Sequence, residues 1–380
     1  MEFSLSAETM MLKDGAERFC KSKCPPSRLR EWIKDEKGFS TDIWKEMADL
    51  GWLALIHKEE DGGIGGSYLD LCILLIEMGK ALLPSPFLYS AVLSGLLIAE
   101  AGDEALKEEY LPLLLYGEKI MTVALLDEKG REDYKEPKLE ARRDQDGSYI
   151  LTGVRQLVPY AHVADEILVC ANVTTAPTGG PTVFRVSTKA AGLQLIPLHT
   201  LTEEKLFAVI FKDVQVTAKH IIGVSGCGGD YFHTLHQRAV LTKCAEIVGG
   251  MERVVTMTVA YVKERFQFGH PLGTLQVVQH FCADMETYLR TSQFLTYQAA
   301  SLSDERTIEA CTKEIAIAKA WCSDAYKKCT WIAQQLHGAI GFSEEHDLHF
   351  YYKHAKASEL AFGDARFQRA IIADVMGYGQ

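Results

Sequence analysis

The spacing of apolar residues changes twice along this chain, and that constrains its fold more than any other feature. Up to about residue 118 the apolar positions recur at three and four, as with Ile43, Trp44 and Met47, the repeat of a helix with one buried face. From about 120 to 222 they alternate or form short runs: Met121-Thr122-Val123-Ala124-Leu125, Tyr149-Ile150-Leu151-Thr152, Ile167-Leu168-Val169-Cys170-Ala171, and the stretch holding Leu206, Ala208, Val209 and Phe211. Bounded by turn pairs such as Asp146-Gly147 and Gly179-Gly180, these read as strands. Beyond 223 the helical repeat returns, with Val240, Cys244, Ile247, Met251 and Val255 on one face. Blocks of helix, strand and helix argue for a β domain over 119–222 between helical domains over 1–118 and 223–380.

Local signals place several element ends. Ser6-Ala7-Glu8-Thr9 resembles a helix start, because a serine side chain can take up an orphan amide of the first turn. The apolar run from Leu69 to Leu83 reads as a helix stopped by Pro84 and Pro86. Four glycines within 62–66 suggest a phosphate cradle. No strand precedes them and no Lys-Ser/Thr follows, so a turn is the better reading. The first C-terminal helix stops near Gly269-His270-Pro271, and Val277, Phe281 and Met285 mark the next. Ser303 is read as the cap of a third that runs to His337-Gly338, where glycine provides a C-terminal stop.

Composition excludes some functions. Forty Lys and Arg against 51 Asp and Glu leave a net charge of −11, which disfavours nucleic acid as a partner. The densest cationic patch, Lys21 to Lys23 with Arg28 and Arg30, reads as a solvated face. The ten cysteines show no paired CxxC framework; most fall in apolar patterns, so reduced buried thiols and no metal site are expected. The opening Met1-Glu2-Phe3-Ser4 lacks a basic region followed by an apolar run. The longest apolar stretch, around 91–99, is too short to span a bilayer. A cytoplasmic location without membrane partners is the expectation.

Two C-terminal stretches carry the chemistry. The first is Tyr261-Val262-Lys263-Glu264-Arg265-Phe266-Gln267-Phe268-Gly269, followed by Gln276 and His280-Phe281-Cys282-Ala283-Asp284-Met285. The second is Gln335-Leu336-His337-Gly338-Ala339-Ile340-Gly341-Phe342. Taken alone, Arg265 could grip a phosphate with its forked guanidinium or form a surface pair with Glu264. Gly338 and Gly341 could admit a ligand or simply end a helix. In this order, however, the stretches resemble the acyl-CoA dehydrogenase family, whose Tyr-x-x-x-Arg-x-x-Phe-Gly and His-x-x-Ala-Asp-Met patterns they match. The resemblance covers nearly the whole chain.

It implies an α+β fold with an N-terminal helical domain, a middle β-barrel or sandwich, and a C-terminal four-helix bundle. It also implies FAD, with Arg265, Phe268 and Gln276 at its pyrophosphate and adenosine across a subunit boundary, and Gln335, Gly338 and Gly341 supporting the neighbour's ADP moiety. Ala339 stands where the family usually has a second glycine. The flavin-side strand, here Leu157-Val158-Pro159-Tyr160-Ala161-His162-Val163-Ala164-Asp165, looks like that of the small-subunit branch of bacterial paired dehydrogenases. Val158 is its cofactor-facing candidate, although Pro159 cannot donate a backbone hydrogen bond. The family's strand-loop beside flavin and thioester corresponds to Ala124-Leu125-Leu126-Asp127-Glu128-Lys129-Gly130. An acyl-CoA substrate, an electron-transfer flavoprotein and a homo- or heterotetramer follow by the same resemblance.

Dehydrogenating an acyl thioester between its α and β carbons needs a proton acceptor, and a carboxylate in a dry pocket suits that task. The position of the family's usual glutamate maps onto Ala361-Phe362-Gly363-Asp364, and Phe362 accepts no proton. The family's other glutamate position maps near Arg238-Ala239, again without a carboxylate. Asp364 is a substitute candidate at both base and flavin, though it reads first as an N-cap for the last helix. Arg238 is the candidate for CoA phosphates or the acyl group, His236 reads as surface or CoA-facing, and Glu359 as solvent-exposed or paired with Lys356. Three readings therefore stand: a dehydrogenase with a non-standard or partner-supplied base, a non-catalytic subunit of a heteromeric dehydrogenase, and a flavin-free CoA-binding scaffold.

Overall fold

The computed structural model describes residues 5–174 and 179–378; residues 1–4, on which the expectation about targeting rests, lie outside them. Six α-helices come first: α1 (Ala7–Lys23), α2 (Pro26–Trp32), α3 (Thr41–Asp49), α4 (Tyr68–Ala81), α5 (Gly95–Ala101) and α6 (Glu104–Leu115), with a π-helical segment Leu88–Ser94 before α5. Eight strands follow: β1 (Met121–Ala124), β2 (Glu140–Arg143), β3 (Tyr149–Pro159), β4 (Glu166–Val173), β5 (Gly180–Ser187), β6 (Leu193–Leu198), β7 (Leu206–Val216) and β8 (Ile221–Ile222). Then come α7 (Gly228–Glu264), the short pair β9 (Phe266–Gln267) and β10 (His270–Pro271), α8 (Gln276–Glu305), α9 (Thr312–His337), α10 (Leu348–Leu360) and α11 (Ala365–Val375). The fold is α+β: helical, then β, then helical.

Two compact units emerge. The first gathers Met1–Arg30, Ser67–Leu83 and Ala239–Gln380; the second gathers Glu31–Gly66 and Pro84–Arg238. In the second unit the strands run in the order β6-β7-β3-β2-β4-β5-β8, with β1 pairing β4. The β1–β4 and β2–β4 pairs are parallel and the rest antiparallel. Leu139, Leu151, Val169, Phe184, Val209 and Phe211 are among the residues filling its core. In β3 the register shifts between Leu151 and Gly153 and again between Arg155 and Val158. Such bulges bend a strand and re-aim its side chains.

In the first unit, Ser6 caps α1 by accepting from the Thr9 amide at 3.0 Å. Thr9 Oγ1 donates to Asp70 at 2.7 Å, and Asp70 closes a capping box with Ser67 at the start of α4. The helix α4 meets α7 backbone to backbone. A Cβ added at Gly249 would lie 2.0 Å from the Ile76 carbonyl oxygen, and one at Gly79 2.5 Å from that of Glu246. Glycine on both helices is the condition for that crossing.

Some expectations need correction. Ser303 caps nothing: it lies inside α8, buried, and its hydroxyl donates to Ala299 O at 2.8 Å. The next helix begins at Thr312, after a 3-10 turn Ile308–Cys311. A serine that bonds back to the preceding turn stays in a helix as readily as it starts one. Nor is Arg30 a solvated charge, since it pairs with Asp347 at 2.8 Å and lies over the Phe350 ring. All ten cysteines are free thiols, and all but Cys227 and Cys282 are buried. Among the described residues no helix is long and apolar enough to cross a membrane.

The α4–α7 contact makes a direct prediction. Gly249→Ala forces two main chains apart and should lower unfolding free energy by about 3 kcal/mol. The Gly338→Ala control, with open space at its Cβ, should cost less in the same urea titration, through its positive φ alone.

Candidate functional site

The first unit brings both C-terminal motifs to one place. At the end of α7, the Tyr261 ring stacks on His337 at the end of α9, with centroids 4.3 Å apart and planes at 20°. The Tyr261 hydroxyl donates to His337 O at 3.3 Å, and His337 Nδ1 bonds Ala333 O at 2.8 Å. Around this joint stand the expected cofactor residues. Arg265, Phe268, Gln276, Gln335 and Gly338 are all exposed. The Arg265 guanidinium forms no ion pair among the described residues, so the Glu264 pairing does not occur. Phe268 has φ +55 and Gly269 φ +84, the backbone of a tight turn that carries Phe268 out of the protein at 82% exposure.

Nearby, Gly338 has φ +64 and open space where a Cβ would sit. The buried atoms Gln334 Oε1 and His337 Nε2 have no hydrogen-bond partner among the described residues. An unpaired guanidinium, exposed amides, an uncrowded glycine and orphaned polar atoms suit a dinucleotide's phosphates and bases. These residues fit the group that the sequence implies.

The turn that carries Phe362 is held from behind. Phe362 has φ +56 and Gly363 φ +85; the left-handed region costs a non-glycine residue about 1–3 kcal/mol. Lys319 Nζ donates to Ser358 O at 3.0 Å, Glu359 O at 3.2 Å and Gly363 O at 3.0 Å, and to Ser323 Oγ at 2.9 Å. Gln368 Nε2 reaches Phe362 O at 2.8 Å. Burial pushes the Lys319 amine down to about 8, while its oxygen partners favour the ammonium. Asp364 is the N-cap of α11, accepting from the Phe367 amide at 2.8 Å. Its carboxylate is thereby engaged.

Glu359 is mostly buried and bridges Lys327 at 2.7 Å and Lys356 at 2.9 Å. Burial raises its pKa, and those two ammonium groups more than reverse that. Beside this turn, His354 lies within 3.4 Å of Ser358 Oγ and 3.5 Å of the Tyr326 hydroxyl. Burial, aided by the Lys243 charge, holds its pKa down to about 3.

In the second unit, Val158 packs in the sheet core with no exposed surface. Any flavin contact there falls to its main chain, or to the neighbouring Leu157, which is exposed at φ +54. Pro159 O accepts from Thr122 Oγ1 at 2.6 Å. The segment after β1 is tightly bound: Asp127 accepts from the amides of Lys129 and Arg131, each at 2.8 Å, and from Arg131 Nη2 at 3.0 Å. Asp133 pairs with the buried Arg155 at 2.5 Å.

Arg238 is buried and paired with Glu100, whose carboxylate is half-exposed. His236 is not a surface group. It is 2% exposed and its Nε2 lies 2.6 Å from Glu132 Oε1. Sequence reading missed both Lys319 and the Glu132–His236 pair. Lys319 had a signal, because it follows Ile315 by four residues and precedes Cys322 by three on the buried face of α9. Glu132 had none, since its partner is about a hundred residues away.

Two outcomes follow. Lys319→Met leaves three carbonyl oxygens, two of them in buried contacts, without their donor and should cost about 3 kcal/mol of unfolding free energy in urea. His354 stays neutral in the fold while its unfolded counterpart takes up a proton below about 6.5. Its contribution is therefore fully present above that value and lost as pH falls towards about 3. His354→Asn should flatten the acid slope of stability between those limits, measured by urea titrations across pH.

The chain matches the family models for the acyl-CoA dehydrogenase N-terminal domain over residues 6–118 and C-terminal domain over residues 233–377, together more than half its length. Acryloyl-CoA reductase (NADH) of Anaerotignum propionicum is 29% identical over 98% of this chain and 95% of its own. Acyl-CoA dehydrogenase FadE27 of Mycobacterium tuberculosis is 28% identical over 97% and 96%. Among solved structures, the ChsE4–ChsE5 complex from Mycobacterium tuberculosis superposes with a TM-score of 0.90 at 27% identity, covering 99% of each chain. A glutaryl-coenzyme A dehydrogenase–glutaryl-CoA complex gives 0.92 at 25% identity, covering 100% of this chain and 97% of that one. With its helical, β and helical architecture and its joined C-terminal motifs, the chain belongs to the acyl-CoA dehydrogenase family.

Proposed function

We propose that the protein is an FAD-dependent oxidoreductase that dehydrogenates an acyl-CoA thioester between its α and β carbons. The observation that carries this reading is the exposed, unpaired Arg265 held beside the end of α9 by the Tyr261–His337 stack. When bound, the flavin supplies the acceptor for the β-hydride. Arg265, Phe268 and Gln276 hold its pyrophosphate and adenosine, with Gln335 and Gly338 serving the ADP portion of a neighbouring protomer. The main chain at Val158 and the start of α11 at Asp364 are further candidates for holding the flavin, each from its own segment. Arg238 meets the CoA or acyl group once the pair with Glu100 opens. The partner that would receive the electrons is an electron-transfer flavoprotein, and the working assembly is a tetramer.

Phe362 cannot take the α-proton, so the acceptor lies elsewhere in the chain or on a partner. A second reading has its own support: a structural relative, ChsE4–ChsE5 of Mycobacterium tuberculosis, is a complex. In that reading the chain is the non-catalytic, small-subunit-like member of a heteromeric dehydrogenase.

Titrating the purified protein with a panel of acyl-CoA esters should bleach the flavin absorbance. Bleaching only after coexpression with a glutamate-bearing homologue would favour the subunit reading. Colourless protein after gentle purification would overturn both. Arg265→Ala should weaken FAD retention about tenfold or more, the loss expected for one charge-assisted contact. Phe362→Glu should add activity on simple acyl-CoA esters if the remaining site is intact.

A further inference from the structure

Most of the acidic side chains buried in this protein face permanent cations. Glu77 faces Lys80, Asp127 faces Arg131, Asp133 faces Arg155, and Glu359 faces two lysines. A carboxylate locked to an ammonium or guanidinium is a poor base, because the cation favours its anionic form. Glu132 differs. It faces the His236 imidazole, whose Nε2 lies 2.6 Å from Glu132 Oε1, in place of an ammonium or guanidinium.

The geometry around the pair is rigid. Glu132 lies between Arg131, which is bound to Asp127, and Asp133, which is bound to Arg155. Its main chain bridges Leu126, just beyond β1, and Leu126 also bridges Gln156 of β3. Glu132 is thus fixed beside the strand end that carries Leu157, Val158 and Pro159. His236 lies behind it on α7, 2% exposed, with the Tyr134 ring 6.2 Å away. The Glu132 side chain keeps 13% of its surface open. That arrangement gives a mostly buried carboxylate that keeps a small exposed edge, backed by a buried imidazole. His236 also lies one helical turn before Ala239 and so shares its face of α7.

We propose that Glu132 is the proton acceptor for the α-carbon of the acyl thioester, with His236 as its positioning residue; this rests on the acyl-CoA reading given above. The α C–H bond breaks and its electron pair stays on carbon as the thioester enolate. The proton passes to a Glu132 carboxylate oxygen, leaving a neutral acid beside the His236 imidazole. No oxidant enters that step.

It can therefore be tested apart from flavin reduction. A 3-thia-acyl-CoA can lose an α-proton but has no β-hydrogen to give. The full-length protein with its flavin is incubated in D2O with 3-thia-acyl-CoA esters of several chain lengths, and α-deuteration is followed by NMR. The unaltered chain should exchange the α-protons. Glu132→Gln should slow exchange at least a hundredfold, the scale of a lost general base, while binding the analogue as before. Glu132→Asp should retain more of the rate. His236→Gln should shift the acid limb of the pH–exchange profile, which a purely structural role would leave in place.

Exchange by Glu132→Gln at the unaltered rate overturns the proposal. So does a chain that binds the analogue and exchanges nothing. Failure of the unaltered chain to bind any analogue defeats the acyl-CoA reading itself, and the proposal with it.

Discussion

Two main chains touching at Gly79 and Gly249 set the position of α7, and much else depends on that helix. At 37 residues it rises about 55 Å at the usual 1.5 Å per residue. Its first turns carry His236 and Arg238, and its last turn leads into Arg265. Side chains between α4 and α7 would hold the helices farther apart and at an adjustable distance. Direct contact leaves no such play. The hydroxyl of Tyr261 and the ring of His337 then fasten the far end of the same helix to α9.

Polar groups buried in this protein work mainly as fasteners. Lys319 gathers carbonyl oxygens from the end of α10 and the turn after it. Arg155 joins the loop after β1 to the Cys170 carbonyl in β4 at 2.6 Å. His57 bonds Ala91 O at 2.7 Å, beside the π-helical segment. Each of these would be costly if left without its partner. The exposed Arg265 differs from these groups in having no counter-ion among the described residues.

Much of the architecture was legible in the sequence because the signals for it are local. The change of apolar period located the strands, the Ser6 cap marked α1, and Gly338 marked the end of α9. Ser303 misled because a serine hydroxyl can serve a helix start or bond back to the turn before it, and only the surrounding chain decides. The two motif segments were legible as words, and the structure adds that they meet. His236 and Glu132 were beyond local reasoning, since their pairing depends on where a loop after β1 passes the start of α7. Arg238 was recognised as a charged group of interest, yet Glu100 as its counter-ion could come only from the packing of α5.

The turn at Phe362 has a wider consequence. Lys319 and Gln368 both grip it through main-chain oxygens, and Asp364 fixes its exit through a backbone amide. None of those holds consults the side chain at the tip. Such a mount behaves like a tool socket, stable whichever bit it carries. A lineage could exchange reactive and inert residues there in one step, with the surrounding helices undisturbed, so that working enzymes and silent subunits could share one scaffold.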